Sequence, residues 1–226
     1  MNNTLNFGGS RSTADVVFEQ LHAEIDSLAI LPGTKISEAD VARRFGVSRQ
    51  PARDAFRRLH NLNLLEIRPQ RATVVRRFSL AEIENTRFLR LAVELEVMDR
   101  ACQIWDQARA DALAGNLALQ SEALALTDAG KFHELDYSFH KLICDMSGLP
   151  KAFETISECK RKVDRLCVLS LSNQESVSDV LGDHQAIADA LMRRSSQDAC
   201  DLTRLHVSRL DGTISEIHQT HTDYFQ

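Results

Sequence analysis

Apolar positions recur every three to four residues along most of the chain, the period of helices with one buried face. Val16, Val17, Leu21, Ile25 and Leu28 mark a first helix over residues 12–28. After the turn Leu31-Pro32-Gly33-Thr34, two short amphipathic segments follow, residues 37–44 and a second opening at Ser48. Ser37-x-x-Asp40 has the spacing of a capping box, and Gly46 stands where a left-handed residue ends a helix. Ser48 suits an N-cap, and Pro51 is tolerated in a first turn whose N–H groups lack intrahelical partners. In the second segment Ala52, Ala55, Phe56 and Leu59 point inward, while Arg49, Arg53 and Arg57 share the outer face. A helix, a glycine turn and a helix with an arginine stripe predict a helix-turn-helix that reads DNA. Residues 64–68 and 72–76 are β-prone runs around the tip Pro69-Gln70-Arg71, which predicts a hairpin, the wing of a winged helix.

Beyond Ser79 the helical period continues and strand signals stop. Helices are expected near 80–105, 106–128, 131–147, 150–172, 177–194 and 196–221, with breaks at Gly130, at Gly148-Leu149-Pro150 and at Ser195. Ser195-x-x-Asp198 reads as another capping box. The expected fold is mainly α: a lead over 1–11 without order, a winged helix-turn-helix with a small β-hairpin wing over 12–78, and an antiparallel all-α bundle over 79–226 for ligand binding and dimerisation.

Charge sharpens this division. The net charge of -5 would argue against nucleic acid if it were spread evenly. Residues 1–78 hold twelve Lys/Arg against eight Asp/Glu, whereas 79–226 hold fifteen against twenty-four, so a +4 module precedes a -9 module. Double-stranded DNA at one end and a different task at the other is the expectation. The DNA-facing set comprises Arg43, Arg44, Ser48, Arg49, Gln50 and Arg53, with Gln70 and Arg71 at the wing tip. Five cysteines without a C-x-x-C pair read as buried small hydrophobes of a reducing cytoplasm. No apolar run approaches the roughly 18 residues of a membrane span.

Three features of the bundle carry candidate chemistry. Asp136 and His140 lie four apart on one helix face, His184 lies on a later helix, and His206 follows twenty-two residues on. A helix, a short turn and a return helix bring the two later histidines to one level of an antiparallel pair. One carboxylate and three imidazoles form a divalent-metal set with positions left for an exogenous group. His133, His218 and His221 are competitors, and a hydrogen-bonded histidine without metal is the plainer reading. Metal-dependent catalysis is the least favoured alternative, because His-Glu-x-x-His, Glu-x-x-His, a phosphate loop and a nucleophile turn are all missing.

The run Pro32-Gly33…Ile36-Ser37-Glu38…Val41-Ala42…Gly46-Val47-Ser48-Arg49-x-Pro51-x-Arg53-x-Ala55…Arg58-Leu59 resembles the DNA-binding domain of GntR-family bacterial regulators. Leu62-Asn63 replaces that family's usual Glu-Gly, Arg71-Ala72 replaces Arg-Gly at the wing tip, and Ala39 stands where some members read a base with Arg. The run Glu134-Leu135-Asp136-x3-His140…Gly148, with Asp183-His184-x2-Ile187-x2-Ala190-Leu191…Ala199…His206, resembles the metal-binding (FCD-type) ligand domain of the FadR branch. The resemblance implies Asp136, His140, His184 and His206 as ligands of a divalent metal, Zn²⁺ foremost, with Mn²⁺, Ni²⁺ and Fe²⁺ also accepted. It implies Arg90, in Arg90-x3-Glu94, as the partner of an effector carboxylate, with Arg165 as a second candidate. The expected whole is a homodimer on a short inverted repeat, a repressor released by a small carboxylic (hydroxy or sugar) acid. A constitutive DNA binder braced by a structural metal is the alternative.

Overall fold

The computed structural model describes residues 11–68, 71–169 and 174–226. It divides into two compact units, residues 1–79 with 221–226, and residues 80–220. The expected lead and the wing-tip residue Gln70 lie outside the described residues, apart from Arg11.

In the first unit, α1 (Thr13–Asp26) starts at Ser12, whose hydroxyl and backbone N–H are tied reciprocally to Asp15. Leu28 follows with a φ of 59° and ends the helical path. β1 (Lys35–Ile36) leads into α2 (Glu38–Phe45), capped by the Ser37 side chain and closed by Gly46 at φ 65°. α3 (Arg49–Asn61) follows directly. Ser48 occupies its N-cap position without a side-chain capping bond. Val17, Leu21, Ile25, Val41, Ala55, Phe56 and Leu59 close one apolar core against Leu65 and Val75.

The wing is a three-stranded antiparallel sheet in the order β1-β3-β2, with β2 at Leu65–Glu66 and β3 at Thr73–Val75. Lys35 faces Val74, and Leu65 faces Val75. The expected hairpin is present but shorter, and β1 is an addition. A two-residue strand is too short to show an alternating pattern, so its pairing comes from position and not from local sequence. Asn63 takes φ 59° at the turn before β2, a conformation that asparagine tolerates better than most residues.

The second unit is all helix: α4 (Leu80–Ile104), α5 (Gln107–Ala125), α6 (Ala129–Met146), α7 (Pro150–Cys167), α8 (Gln174–Met192), α9 (Ser196–Ser208) and α10 (Leu210–Thr220). Trp105, Met98, Phe139, Ile143, Ile156 and Leu191 centre its core. Three expectations need correction. Gly130 lies inside α6, and the break falls earlier, at Thr127 with φ 56° and the N-cap Asp128. The capping box at Ser195 does not form, because Ser195 makes no side-chain cap bond and Asp198 instead meets Arg193 at 3.4 Å. The last helix is two helices, since the Arg209 N–H is shared between the carbonyls of Leu205 and His206 at 3.1 and 3.4 Å, the bifurcated pattern of a helix end.

The C-terminal tail, expected in the bundle, groups with the first unit. Phe78 and Phe225 form a parallel bridge, with Phe78 N donating to Tyr224 O at 2.8 Å and Gln226 N donating to Phe78 O at 3.0 Å. Their rings lie 5.6 Å apart, and both are buried. Cys102, Cys144 and Cys159 are buried, while Cys167 and Cys200 are partly so, and burial raises all five thiols. No helix among the described residues is long and apolar enough to cross a membrane.

Candidate metal centre and nucleic-acid face

The bundle brings Asp136 and His140 of α6, His184 of α8 and His206 of α9 together, all buried, with one candidate ligand atom from each within 4.8 Å of the others. Asp136 Oδ1 is 3.5 Å from His140 Nε2 and 3.4 Å from His184 Nε2. A tetrahedral shell with bonds of about 2.1 Å spaces its ligands by roughly 3.4 Å, so these separations fit one ion. His133 is half exposed beside Asp164 and stays outside the cluster, as do His218 and His221.

Each ring nitrogen facing away from the cluster has a polar neighbour. His184 Nδ1 lies 2.8 Å from Gln120 Oε1 on α5, and Gln120 in turn donates to Asn116 Oδ1 at 2.6 Å. His140 Nδ1 is 3.2 Å from Glu94 Oε2 on α4, and His206 Nδ1 is 3.6 Å from Asp183 Oδ2. Phe139 stacks on His184 with centroids 4.0 Å apart, which sets the plane of that ring. Of these contacts the one to Gln120 is a hydrogen bond, and it turns His184 Nε2 inward as a bare donor for a cation, whereas Glu94 Oε2 and His206 Nδ1 form no hydrogen bond among the described residues. His184 Nε2 has no hydrogen-bond partner among the described residues although it is fully buried.

Electrostatics ready three of the four groups. Burial lowers His184 well below the usual histidine range and lowers His206 as well, leaving both rings neutral. Burial acts on His140 in the same sense, but Glu94 and Asp136 outweigh it and raise that ring. Burial opposes ionisation of Asp136, yet Lys160 and His140 hold it well below the usual carboxylate range. Arg90 and His140 do the same for Glu94. Neutral imidazoles and an ionised carboxylate are the states that bind a divalent ion, so a proton on His140 would leave as the ion enters.

Arg90 is buried in α4, with Nε donating to Glu94 Oε1 at 2.6 Å and Nη2 lying 3.3 Å from His140 Nε2 and 3.5 Å from His206 Nε2. Its guanidinium therefore reaches the inner face of the cluster. Arg165 is buried near the end of α7. Sequence reasoning missed Gln120 and Lys160, which contact the cluster from α5 and α7. The signal was present in both. Gln120 falls on the buried face carrying Leu113 and Ala123, and Lys160 follows the buried Ile156 by four residues.

In the first unit, Ser48, Arg49, Gln50, Arg53 and Arg57 are exposed at or along α3. Among the described residues Arg49 and Arg57 form no ion pair, while Arg53 meets Glu38 at 3.3 Å and Gln50 meets Asp54 at 3.0 Å. Arg43 is exposed against Asp40. Arg44 reaches back to α1, with Nη2 2.7 Å from Glu24. Arg58, part of the same arginine run, bridges to Asp15 at 2.7 Å and stacks over Phe18 at 3.8 Å. Arg71 is exposed beside the wing tip.

Two family models match this chain. Residues 13–75 match "Bacterial regulatory proteins, gntR family", and residues 86–209 match the FCD domain. The chain belongs to the GntR family. Its ligand-domain type is FCD, and the family is one of DNA-binding transcription regulators, which is not an enzyme class. Among curated relatives, this GntR-family chain is 32% identical over 209 residues to the HTH-type transcriptional repressor RspR of Escherichia coli K12, covering 92% of each chain. Two solved structures share the fold. A GntR regulator from Rhodococcus sp. RHA1 has a TM-score of 0.68 at 22% identity, covering 91% of this chain and 99% of that one. E. coli McbR/YncC has a TM-score of 0.68 at 18% identity, covering 94% and 100%.

Proposed function

We propose that this GntR-family regulator is a repressor whose bundle binds a divalent metal through Asp136, His140, His184 and His206, and that a small carboxylic acid bound there releases it from DNA. The observation that carries the reading is the buried, unpartnered Nε2 of His184 beside Asp136, with the Arg90 guanidinium on the same inner face. A bound metal would supply a Lewis-acidic anchor for an acid oxygen. Arg90 would supply the forked donor that suits a carboxylate, and Glu94 would keep that fork oriented. Zn²⁺ is the first choice for this donor set, and Mn²⁺, Ni²⁺ and Fe²⁺ are compatible with it.

At the other unit, Arg49, Arg53 and Arg57 with the wing residue Arg71 would meet the DNA, and Arg43, Ser48 and Gln50 would flank them. A homodimer would match a short inverted repeat, because two-fold protein symmetry asks for two-fold DNA. Phe88 and Leu89, 69% and 52% exposed on α4, support a second copy as the cover of that helix. Repression follows the role of the E. coli repressor RspR. The acid must favour one arrangement of the regulator over the other, since equal affinity for both would shift nothing.

The test is a panel of hydroxy and sugar acids, scored by thermal shift and by binding to the DNA upstream of the regulated gene, with metal-loaded and chelator-stripped protein. The expected result is an acid that raises the melting temperature and weakens DNA binding, both only with metal. Metal retained with no response to any acid would favour a metal that braces the bundle of a constitutive binder.

A further inference from the structure

The charged groups at and just around the four candidate ligands fall into three pairs. Arg90 is paired with Glu94 at 2.6 Å, and Lys160 Nζ with Asp136 Oδ2 at 2.6 Å. Further out, Asp183 is paired with Arg209 at 2.8 Å, and Arg209 also meets the exposed Asp179 at 3.3 Å. With the imidazoles neutral, as metal binding requires, these three pairs cancel before any metal is added. A divalent ion leaves a surplus of two positive charges in a place where Arg90, Glu94 and Lys160 are each no more than 5% exposed. An uncompensated charge in such a place is costly, and a mono-acid removes only half of the surplus.

Lys160 also has donors to spare. An ammonium carries three N–H groups, and among the described residues Asp136 is its hydrogen-bond acceptor. Its Nζ sits 4.9 Å from the Tyr137 ring centre, and Tyr137 is itself tied to Asp164 Oδ2 at 2.6 Å. The ammonium is thus held in place, cut off from bulk water and short of acceptors. Lysine is a compact point charge, so it can keep Asp136 and still donate to a further oxygen. It approaches from α7, while Arg90 approaches from α4.

We infer that Lys160 is a second acid-reading group, and that the effector is a small acid with two acidic groups, one met by Arg90 and the other by Lys160. This rests on the acid-effector reading above and adds the charge class of the ligand. Lysine at this position then discriminates among acids that offer the metal the same oxygen atoms.

The test compares two 2-hydroxy acids that share one head and differ by a carboxylate, lactate and malate, by calorimetry on zinc-loaded full-length protein. Malate is expected to bind on the order of tenfold tighter than lactate or better, the scale on which a buried charge partner acts. Lys160→Met, compared at matched zinc content, should bring that ratio close to unity, and Lys160→Arg should retain most of it. A ratio near unity in the wild type overturns the inference even if Lys160→Met fails to fold, while leaving the acid-effector reading standing. A ratio that survives in zinc-bearing Lys160→Met also overturns it. Binding of neither acid, or of any other mono- or di-acid, with zinc retained, removes both readings together.

Discussion

At the scale of single residues, the cluster depends on which nitrogen each imidazole presents. Gln120 holds His184 Nδ1 at 2.8 Å, so Gln120→Leu frees the ring without touching a candidate ligand. Metal affinity is expected to fall by about 10–100-fold, measured by competition with a chromogenic chelator. Unchanged affinity would mean that stacking on Phe139 alone orients the ring. The arginine run divides by partner. Arg49→Ala should cost about 1–3 kcal/mol of specific DNA binding if it reads a base, with the protein as stable as before. Arg58→Ala should instead lower the melting temperature of the DNA-reading unit by about 4–8 °C, through loss of the Phe18 stack and the exposed Asp15 bridge, together about 1 kcal/mol. An Arg58 variant of unaltered stability and weakened DNA binding would reverse that assignment.

At the scale of elements, periodicity located α1 to α8 and the start of α9 within a few residues, because each buries one face and repeats it over several turns. It failed where no period exists. β1 spans two residues, and the α9–α10 break keeps helical dihedrals through Arg209, so neither leaves a mark in the hydrophobic pattern. The tail is the third such case. Residues 224–226 join Phe78 by backbone bonds that any sequence could make, and the aromatic pair is what selects them. Phe225→Ala should destabilise the DNA-reading unit by about 3 kcal/mol, the scale of a buried aromatic deletion. Amide exchange at Phe78 and Gln226 would report it, and protection equal to wild type would show that the bridge stands without the ring.

At the scale of the molecule, a basic unit and an acidic unit have separate cores and, on the proposed reading, separate ligands. Removing metal should therefore lower one melting transition and spare the other. A bound ion at a thousand times its dissociation constant stabilises by about 4 kcal/mol, so the bundle transition should fall visibly in chelator while the DNA-reading transition stays in place. Differential scanning calorimetry would separate the two. A common shift of both would mean that they unfold as one.

The sequence alone determined the helical character, the division near Ser79, the arginine stripe and, by resemblance, the four candidate ligands, because these depend on spacing along a single helix or on motif. Tertiary structure decided the rest. It turned Arg44 and Arg58 back onto α1, paired Lys35 with Val74, and set Gln120 and Lys160 against ligands 64 and 24 residues away in the chain. Helical periodicity says which face of an element is buried, but not which face of another element it will meet. That choice is made by packing among many elements at once, and the partners of a buried polar atom come with it.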